Sequence, residues 1–343
     1  MRNFIWKLET RKRGEKAAKC MCKIEKINRA YLAYNPNHIG CIREYYLFCV
    51  ELFKKSFSNL DSSINVIFGE YNVNFPNHNR ILKIDIQWEH TLVKPDGRDS
   101  AEAIIGKIPV KDSSNFYLVR INNYNYLKTL NLIIEYSIPN ITNLRECGIF
   151  NDYLNKTIYL APFIYDIDFG SKERSGGIIT LFFDCNQPRR KIFLNRIQGL
   201  GVPLTNERDC FDKIKLKQLF KNTKILVNIH QTDHHHTFEE LRILPVLLCG
   251  VIIISEDVPL KESIPYSKFI IWSSYENILD TVRSVYASYD HYYNKIFNNP
   301  DLLDILIKMK KNNIDNVDTA VHKLLCANES GDYSGDQKLN INE

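Results

Sequence analysis

Several common sequence features are absent, and each absence removes a class of protein. No stretch reaches the ~18 uninterrupted apolar residues that a membrane span requires. The basic N-terminus lacks the apolar run of a signal peptide. Neither a P-loop nor a G-x-G-x-x-G pattern is present, so ATP- and NAD-type sites have no support. Together these absences predict a soluble protein that is not secreted.

The cysteines and histidines do not form the usual metal or disulfide motifs. Nine cysteines, an odd number, are scattered without paired spacing, and Cys20-x-Cys22 is too tight for common zinc or redox sites. Reduced thiols indicate a cytoplasmic protein. Three consecutive histidines point in different directions and make a poor tetrahedral zinc shell. We therefore expect no bound metal.

The length and charge indicate a two-domain protein without a nucleic-acid partner. The 343 residues, 44% of them hydrophobic, are enough for two α/β halves with their own cores. The net charge of +5 is concentrated in residues 1–29, and the rest of the chain is about neutral. No basic face for nucleic acid is therefore expected. The basic arm is predicted to be a solvated extension or, alternatively, to make weak contact with an acidic membrane surface or partner.

Strand and helix patterns alternate over residues 30–136 and again from residue 178, which predicts parallel sheets with helical crossovers in two doubly wound halves. Residues 151–177 interrupt the rhythm with a proline, charges and a Gly-Gly pair, as in a hinge between domains. The predicted division is an extension over 1–29, domains over 30–165 and 166–327, and a disordered tail over 328–343. Helices predicted in the second domain include Phe238–Leu248, Tyr275–Phe297, Asp301–Lys310 and Val317–Leu325.

The stretch from Val227 to Glu256, "VNIHQTDHHHTFEELRILPVLLCGVIIISE", is the most informative part of the chain. A strand ends in "NIHQ", a histidine loop follows, and then come a helix with Glu-x-Arg, "LCG" and "VIIISE". This order resembles the nucleotide-sugar half of GT-B glycosyltransferases, in particular the compact ones of large DNA viruses and some bacteria. The likeness extends over residues 178–283 and, in a general way, over 30–165.

The resemblance implies an α/β fold of the GT-B type, with two Rossmann-like domains whose parallel sheets face each other across a cleft. It implies transfer of a sugar from a nucleotide-diphosphate donor to a hydroxyl of a glycan or glycoprotein acceptor, with no cofactor besides the donor. A helix N-terminus offers unpaired N–H groups to a diphosphate. The residues that would form this donor site are His230, His234, His236, Thr237, Phe238, Glu239, Glu240 and Arg242.

Individual residues of this stretch have alternative interpretations. Thr237 and Glu240 match a capping box, which would give Glu240 a structural role. Glu239 has no such role and could accept hydrogen bonds from ribose hydroxyls, whereas Arg242 could bind either phosphate or a nearby carboxylate. Retaining members of the fold often carry two glutamates eight residues apart, and those positions here hold Thr237 and Pro245. Retention or inversion of the sugar configuration therefore stays open.

A second basic site lies in "FFDCNQPRRK", residues 182–191, where Pro188 marks a helix start. Arg189 and Arg190 follow it, and arginine binds phosphate oxygens through its planar fork. The resemblance implies that a basic residue here neutralises the leaving diphosphate. The alternative, an exposed basic helix start, is unfavourable for the helix dipole.

In the first half, "QWEHTLV" places Glu89 and His90 at the end of a predicted strand. This edge faces the interdomain cleft in open α/β sheets. Either side chain could act as a base toward an acceptor hydroxyl, and histidine has a suitable pKa without help. The alternative is a polar strand end without catalytic function.

Two rival functions remain open. Asp166-x-Asp168 matches the short metal-binding motif of GT-A glycosyltransferases, which would make the enzyme metal-dependent. A non-catalytic member of the fold that binds a sugar or acts as a scaffold is the other alternative, because the paired glutamates are missing. Convergence of Arg189, Arg190, Arg242 and Glu239 on one cleft would favour an enzyme.

Overall fold

The computed structural model describes residues 22–38, 42–94, 104–108, 117–182, 185–208 and 212–326, with only the backbone described for 104–108. The predicted arm up to residue 21 and the predicted tail from residue 328 lie outside these ranges. No helix in the described ranges is both long enough and apolar enough to cross a membrane.

Strands and helices alternate over much of the described chain, but five strands follow one another between Asn65 and Ile121. The strands are β1 (Lys23–Ile27), β2 (Ala30–Tyr34), β3 (Asn65–Phe68), β4 (Ile81–Gln87), β5 (Leu92–Val93), β6 (Ile104–Ile108), β7 (Tyr117–Ile121), β8 (Leu132–Glu135), β9 (Thr157–Tyr159), β10 (Ile178–Thr180), β11 (Leu204–Asn206), β12 (Ile225–Asn228), β13 (Ile252–Glu256) and β14 (Ile271–Ser273). The helices are α1 (Arg43–Ser58), α2 (Tyr124–Lys128), α3 (Ile138–Cys147), α4 (Asn151–Leu154), α5 (Pro188–Gln198), α6 (Lys213–Asn222), α7 (Glu240–Leu248), α8 (Ile278–Ala287), α9 (Tyr289–Phe297) and α10 (Pro300–Cys326). The predicted α/β fold is therefore confirmed.

The first sheet contains six strands in the order β1-β2-β3-β4-β8-β9. From β2 to β9 all neighbours are parallel, so their carboxyl ends share one edge. The spatial order follows the chain order without reversal, which differs from the doubly wound half that the sequence predicts. Topology alone therefore marks no switch point in this sheet.

Strand β1 corrects the boundary of the predicted basic extension, which included residues 23–27. It pairs antiparallel with β2, with Lys23 opposite Tyr34. Glu25 of β1 accepts a hydrogen bond from the Tyr34 hydroxyl at 2.9 Å, and it forms an ion pair with Lys54 of α1 at 3.1 Å. Lys23 and Lys26, two of the basic residues that indicated an arm, belong to this edge strand, where charge prevents pairing with other chains.

The second sheet contains five parallel strands in the order β11-β10-β12-β13-β14. The order reverses at β10, so this half is doubly wound as predicted. All residues of β12 and β13 are buried, as expected where helices cover both faces of a sheet. Ligands of such sheets bind outside the carboxyl ends at the reversal, which here lies between β10 and β12.

A third, antiparallel sheet of three strands in the order β5-β7-β6 was not predicted. The sequence placed the region of β7 in the parallel pattern, because a short β-rich run does not show its direction. Val93 of β5 also forms a bridge with His235 of the second half. The small sheet therefore connects the two larger ones.

Helix α10 contacts both halves. It has 27 residues, a length of about 40 Å. Leu302 and Leu306 near its start pack into the second core, while Val317 and Val321 near its end pack into the first. The structure thus replaces two predicted short helices with one, and its end lies against the first half and not in the predicted second domain. One helix forms because the apolar face of α10 runs without a break along both hydrophobic cores.

The predicted helix Tyr275–Phe297 is likewise corrected, because it consists of α8 and α9, which meet at Ser288 with ψ 33°. The segment between the sheets is held to the second half by Arg174. Its buried guanidinium donates to the carbonyls of Phe220, Thr223 and Cys249 at 2.6, 3.1 and 2.8 Å. These carbonyls lie at the C-terminal ends of α6 and α7, where a cation is favourable.

Candidate functional site

The predicted basic residues lie at the carboxyl ends of β10 and β12. Helix α5 begins at Pro188 shortly after β10, and its first turn contains Arg189 and Arg190. The Arg190 guanidinium donates to the carbonyl of Ile229, just past β12, at 3.2 Å. Arg190 therefore bridges the two strands between which the order of the sheet reverses, where the topology predicts a ligand.

The carboxylate of Glu239 stands at the centre of this site. Glu239 occupies the N-cap position of α7 and forms an ion pair with Arg242, one turn into the helix. Nη2 of Arg190 and Nε2 of His90 each lie 3.9 Å from its Oε1 atom. Burial raises the pKa of Glu239, but Arg242, His90 and Arg190 outweigh burial, so that the pKa is lowered. Glu239 is therefore ionised at neutral pH.

His90 is the residue that the first half brings to this site. It follows β4, and its ring packs on His235 with centroids 5.0 Å apart. Burial lowers the pKa of His90, and Glu239 offsets burial only in part, so the imidazole is neutral at pH 7. Glu89 is 47% exposed and lies 3.5 Å from Arg120. Of the two predicted bases, His90 is the one that faces Glu239.

Arg189 is already paired with carboxylates. Its guanidinium contacts both oxygens of Glu256 at 2.6 and 3.0 Å, and its Nε lies 2.5 Å from Asp233. The ring centroid of Tyr275 lies 4.1 Å from the Cζ atom of the Arg189 guanidinium. Burial lowers the pKa of Arg189, but Glu256 and Asp233 reverse this and raise it. A donor diphosphate would have to compete with two carboxylates for this arginine.

The histidine loop joins the two halves through its backbone. The N–H of Lys94 donates to the carbonyl of His234 at 2.8 Å, and the N–H of His236 donates to Leu92 at 2.9 Å. The His236 ring is buried between His230 and Tyr117, with centroid distances of 5.1 and 5.6 Å. Burial lowers the pKa of His236 to about 3, so this side chain carries no charge at neutral pH.

His230 is also buried, and it lies beside the ion pairs of Arg189. Its backbone N–H donates to Glu256 at 3.0 Å, and its Nε2 atom lies 3.2 Å from the carbonyl of Asp257. His230 and His236 thus belong to the buried framework around the site. His234 lies where the histidine loop meets β5.

The predicted capping box is wrong. Helix α7 begins at Glu240, its N-cap is Glu239, and no side chain caps it. The Thr237 hydroxyl instead accepts the N–H of Leu92 at 3.0 Å. Phe238, predicted for the donor site, is fully buried in the second core against Trp272, with ring centroids 5.5 Å apart. A capping box is recognised from neighbouring residues only, whereas the Thr237 hydroxyl accepts a hydrogen bond from Leu92, in a strand far away in the chain.

Glu240 is also placed differently from the prediction. It is fully buried and accepts hydrogen bonds from Tyr159 at 2.6 Å and Tyr266 at 2.8 Å. Burial raises its pKa to about 7. Of the two glutamates at the start of α7, Glu239 is therefore the one that lies among the arginines.

Charge in the site is balanced within the protein. Arg190 and Arg242 face Glu239, while Arg189 faces Asp233 and Glu256. Three guanidinium groups thus meet three carboxylates, and their formal charges cancel. The four residues whose convergence was in question, Arg189, Arg190, Arg242 and Glu239, do lie together at one edge of the second sheet.

Four supporting residues were missed by the sequence reasoning. Arg120 is buried and contacts the carbonyl of His90 and Nε2 of His235, both at 3.2 Å. Asn228 accepts a hydrogen bond from Arg242 at 3.2 Å. Glu256 and Asp233 pair with Arg189. Only Asn228 and Glu256 had a signal in the sequence, since polar residues ending buried strands often face a site.

The rival Asp166-x-Asp168 motif lies in the segment between the sheets. Asp166 pairs with Lys310 of α10 at 2.9 Å, and this hydrogen bond lowers its pKa. Asp168 pairs with Lys221 of α6 at 3.4 Å. The two carboxylates therefore face different helices. Within the described ranges no group of three or more His, Cys, Asp or Glu side chains is arranged to hold a metal ion.

Comparisons with known proteins show distant likenesses. No protein-family model matches the chain. An uncharacterized protein of Acanthamoeba polyphaga mimivirus is 29% identical over 180 residues, which cover 49% of this chain and 58% of that protein. This relative is a viral protein, but its name states no activity, so it does not test the predicted likeness to viral glycosyltransferases.

Two solved structures are similar at 10% sequence identity. The crystal structure of TarM covers 89% of this chain and 62% of its own, with a TM-score of 0.37. The structure of accessory secretory protein 1, 2 and 3 in Streptococcus pneumoniae covers 82% and 57%, with a TM-score of 0.41. The chain thus spans less than two-thirds of each of these proteins. Likenesses this distant do not assign an activity.

Proposed function

We propose that this protein is a GT-B type glycosyltransferase that moves a sugar from a nucleotide-diphosphate donor to an acceptor hydroxyl. The observation that carries the proposal is the meeting of His90, from the first half, with Glu239, Arg190 and Arg242 of the second. A neutral base thus stands on one side of the interface and cations on the other. This arrangement suits group transfer, because a base can activate the acceptor while cations stabilise the leaving group.

The second half is proposed to bind the donor. Arg190 and Arg242 lie beside the first turn of α7, whose N-terminus carries about half a positive charge. The leaving diphosphate gains negative charge as the bond to the sugar breaks. Cations already in place stabilise this charge more strongly in the transition state than in the ground state.

We propose that donor binding replaces Arg242, the ion-pair partner of Glu239, with the ribose hydroxyls of the nucleotide. In the free protein its carboxylate holds Arg242, so an incoming diphosphate has to take over this guanidinium. The released carboxylate can then accept hydrogen bonds from the ribose hydroxyls of the nucleotide. Such an exchange leaves no buried charge without a partner, which would otherwise be costly.

The first half is proposed to supply the base. Neutral His90 accepts the proton of the acceptor hydroxyl while that oxygen attacks the anomeric carbon of the sugar. The bond from this carbon to the diphosphate breaks, and the diphosphate leaves with the electron pair. His90 is thus the proposed catalytic residue, with Glu89 beside it at the exposed rim.

The test is a thermal-shift screen with UDP-, GDP- and dTDP-sugars, followed by donor hydrolysis and transfer assays. A ligand at 100 times its dissociation constant stabilises the protein by about 2.7 kcal/mol. We expect one nucleotide class to raise the melting temperature in the wild type and in the exposed control Arg196→Ala, but not in Arg242→Ala. No shift with any donor, together with no hydrolysis, rejects the proposal.

A second candidate is a non-catalytic sugar-nucleotide-binding protein. The observation in its favour is that all three arginines are neutralised by the carboxylates of the site. Thr237 and Pro245 also stand where retaining members of the fold often carry glutamates. A donor-induced melting shift without hydrolysis or transfer to any acceptor distinguishes this function from the enzyme.

A further inference from the structure

Two buried carboxyl groups lie at the interface between the halves, apart from the arginine cluster. Glu135 ends β8 and Glu240 begins α7, and both side chains are fully buried. Among the described residues neither Oε2 atom has a hydrogen-bond partner. A buried carboxylate oxygen without a donor is costly, so the pair requires a physical explanation.

Both carboxyl groups face the start of α3. The backbone N–H groups of Tyr136 and Ser137 donate to Oε1 of Glu135 at 2.9 and 3.2 Å, and Asn140 donates at 3.0 Å. The backbone N–H of Ile138, the first residue of α3, favours the charged form of Glu240. Glu240 of the second half therefore docks on a helix of the first half, beside Glu135.

Two tyrosines tie Glu240 to both halves. Its Oε1 atom accepts the hydroxyl of Tyr159 from β9 at 2.6 Å and the hydroxyl of Tyr266 from the second half at 2.8 Å. Tyr159 is the register partner of Glu135 in the β8–β9 pair. One carboxyl oxygen thus connects the two halves, next to the other carboxyl group.

Hydrogen-bond donors surround both carboxyl groups in the described part of the chain. The strongest influences on either carboxyl group include no lysine, arginine or histidine. Burial raises the pKa of Glu135 to about 8 and the pKa of Glu240 to about 7. The titratable and polar groups that face the pair are Tyr45 on α1, Tyr136 and Asn140 at α3, Tyr153 on α4, Tyr159 on β9, and Tyr266 of the second half.

We propose that Glu135 and Glu240 form a proton-holding lock that fastens α7 of the second half to α3 of the first, and that the lock loosens when both ionise. While either carboxyl group is neutral, no charge repulsion acts between the two. Two carboxylates in a dry interface repel each other. Because α7 begins beside Glu239, the lock also positions the arginine cluster relative to His90.

The direction of both pKa shifts sets the pH window. Both values lie above the ordinary 4.5, so the closed state binds more protons than a state in which the carboxyl groups meet water. The stabilisation is fully present below pH 4.5 and is lost as the pH rises through about 7 and about 8. Each carboxyl group changes the closed-to-open ratio by up to about tenfold per pH unit in this window.

The test is hydrogen–deuterium exchange, corrected for intrinsic rates, at about pH 6 and about pH 8.5. The reporters are the amides of Lys94 and His236, which bond across the halves, and the reference is the amide of Ile252, which bonds to Lys224 within the second half. In the wild type we expect the protection factors of both reporters to fall at least about tenfold at the higher pH. The protection of Ile252 should stay constant.

Variants separate the lock from general pH effects. Glu240→Gln keeps the shape and the neutral state, so we expect it to remove most of the pH-dependent fall, while Glu262→Gln at an exposed position keeps it. Tyr159→Phe removes a donor that favours the charged form and should move the transition to higher pH. Reporters that are independent of pH in the wild type, or a full fall in Glu240→Gln, overturn the proposal. If Glu240→Gln does not fold, an unmoved transition in Tyr159→Phe overturns it.

Discussion

Nε2 of His90 lies 3.9 Å from Oε1 of Glu239, and this contact joins the carboxyl edge of the first sheet to the start of α7. Burial lowers the pKa of His90, whereas Glu239 raises it. His90, together with Arg190 and Arg242, in turn lowers the pKa of Glu239. The proposed base and the residue that holds the donor-side arginines are therefore coupled electrostatically.

His90→Gln should reduce transfer much more than donor binding. Glutamine keeps a polar group in place but cannot take a proton, and a general base contributes typically 10²–10⁴-fold to the rate. The measurement is kcat/KM for transfer, with the donor-induced melting shift as the control. Glu89→Gln serves as the matched variant and should retain activity, because Glu89 is 47% exposed. Equal losses in both variants would contradict the assignment of His90.

Glu239→Gln should lower the pKa of His90 further. Removing the carboxylate removes the main influence that opposes burial, so the imidazole should stay neutral to a lower pH than in the wild type. An NMR titration of the His90 ring measures this directly and needs no substrate. A pKa that rises or does not move would show that the two side chains do not interact in solution.

Arg242→Ala should lower donor hydrolysis about a hundredfold, a loss of ~3 kcal/mol of transition-state stabilisation. The exposed Arg196→Ala, on α5 of the same half, is the control and should keep full activity. Arg190→Ala should also lose activity but with a larger fall in melting temperature, because Arg190 is 2% exposed and donates to Ile229. Full activity of Arg242→Ala would place the anion site elsewhere.

Thr237→Val should destabilise the protein by about 1–3 kcal/mol, because it leaves the buried N–H of Leu92 without its acceptor. Valine keeps the shape of threonine, so packing changes little. Thr237→Ser keeps the hydroxyl and should lose less. Urea unfolding measures both variants. A smaller loss for valine than for serine would mean that this hydrogen bond does not hold the histidine loop to β5.

Transfer activity should survive EDTA. The proposed reaction uses arginines and a helix N-terminus in place of a divalent cation, and Asp166 and Asp168 are each paired with a lysine. The double variant Asp166→Asn, Asp168→Asn should therefore remain active. Activity that EDTA abolishes and manganese restores would favour the GT-A alternative, above all if the double variant were inactive.

The sequence predicted that Arg190, Glu239 and Arg242 lie at one edge of the second sheet, because all three stand directly after buried strands or at helix starts. It assigned Thr237 and Glu240 wrongly for the opposite reason. Their three-residue spacing matches a capping box, yet the partner of Thr237 is Leu92, 145 positions away, and the partners of Glu240 are two distant tyrosines. A local pattern cannot show which distant group competes for a hydroxyl or carboxyl.

The sequence by itself determined the alternation of strands and helices and the restart of this pattern at Ile178, because hydrophobic periodicity depends only on neighbouring residues. Tertiary structure alone decided the strand orders, the small antiparallel sheet and the path of α10 across both halves. It also decided that three carboxylates neutralise the three arginines and that Glu135 meets Glu240. Apart from the Glu239–Arg242 pair, these contacts join residues far apart in the chain, so they arise only in the folded protein, and Glu135 meets Glu240 only where the two halves pack against each other.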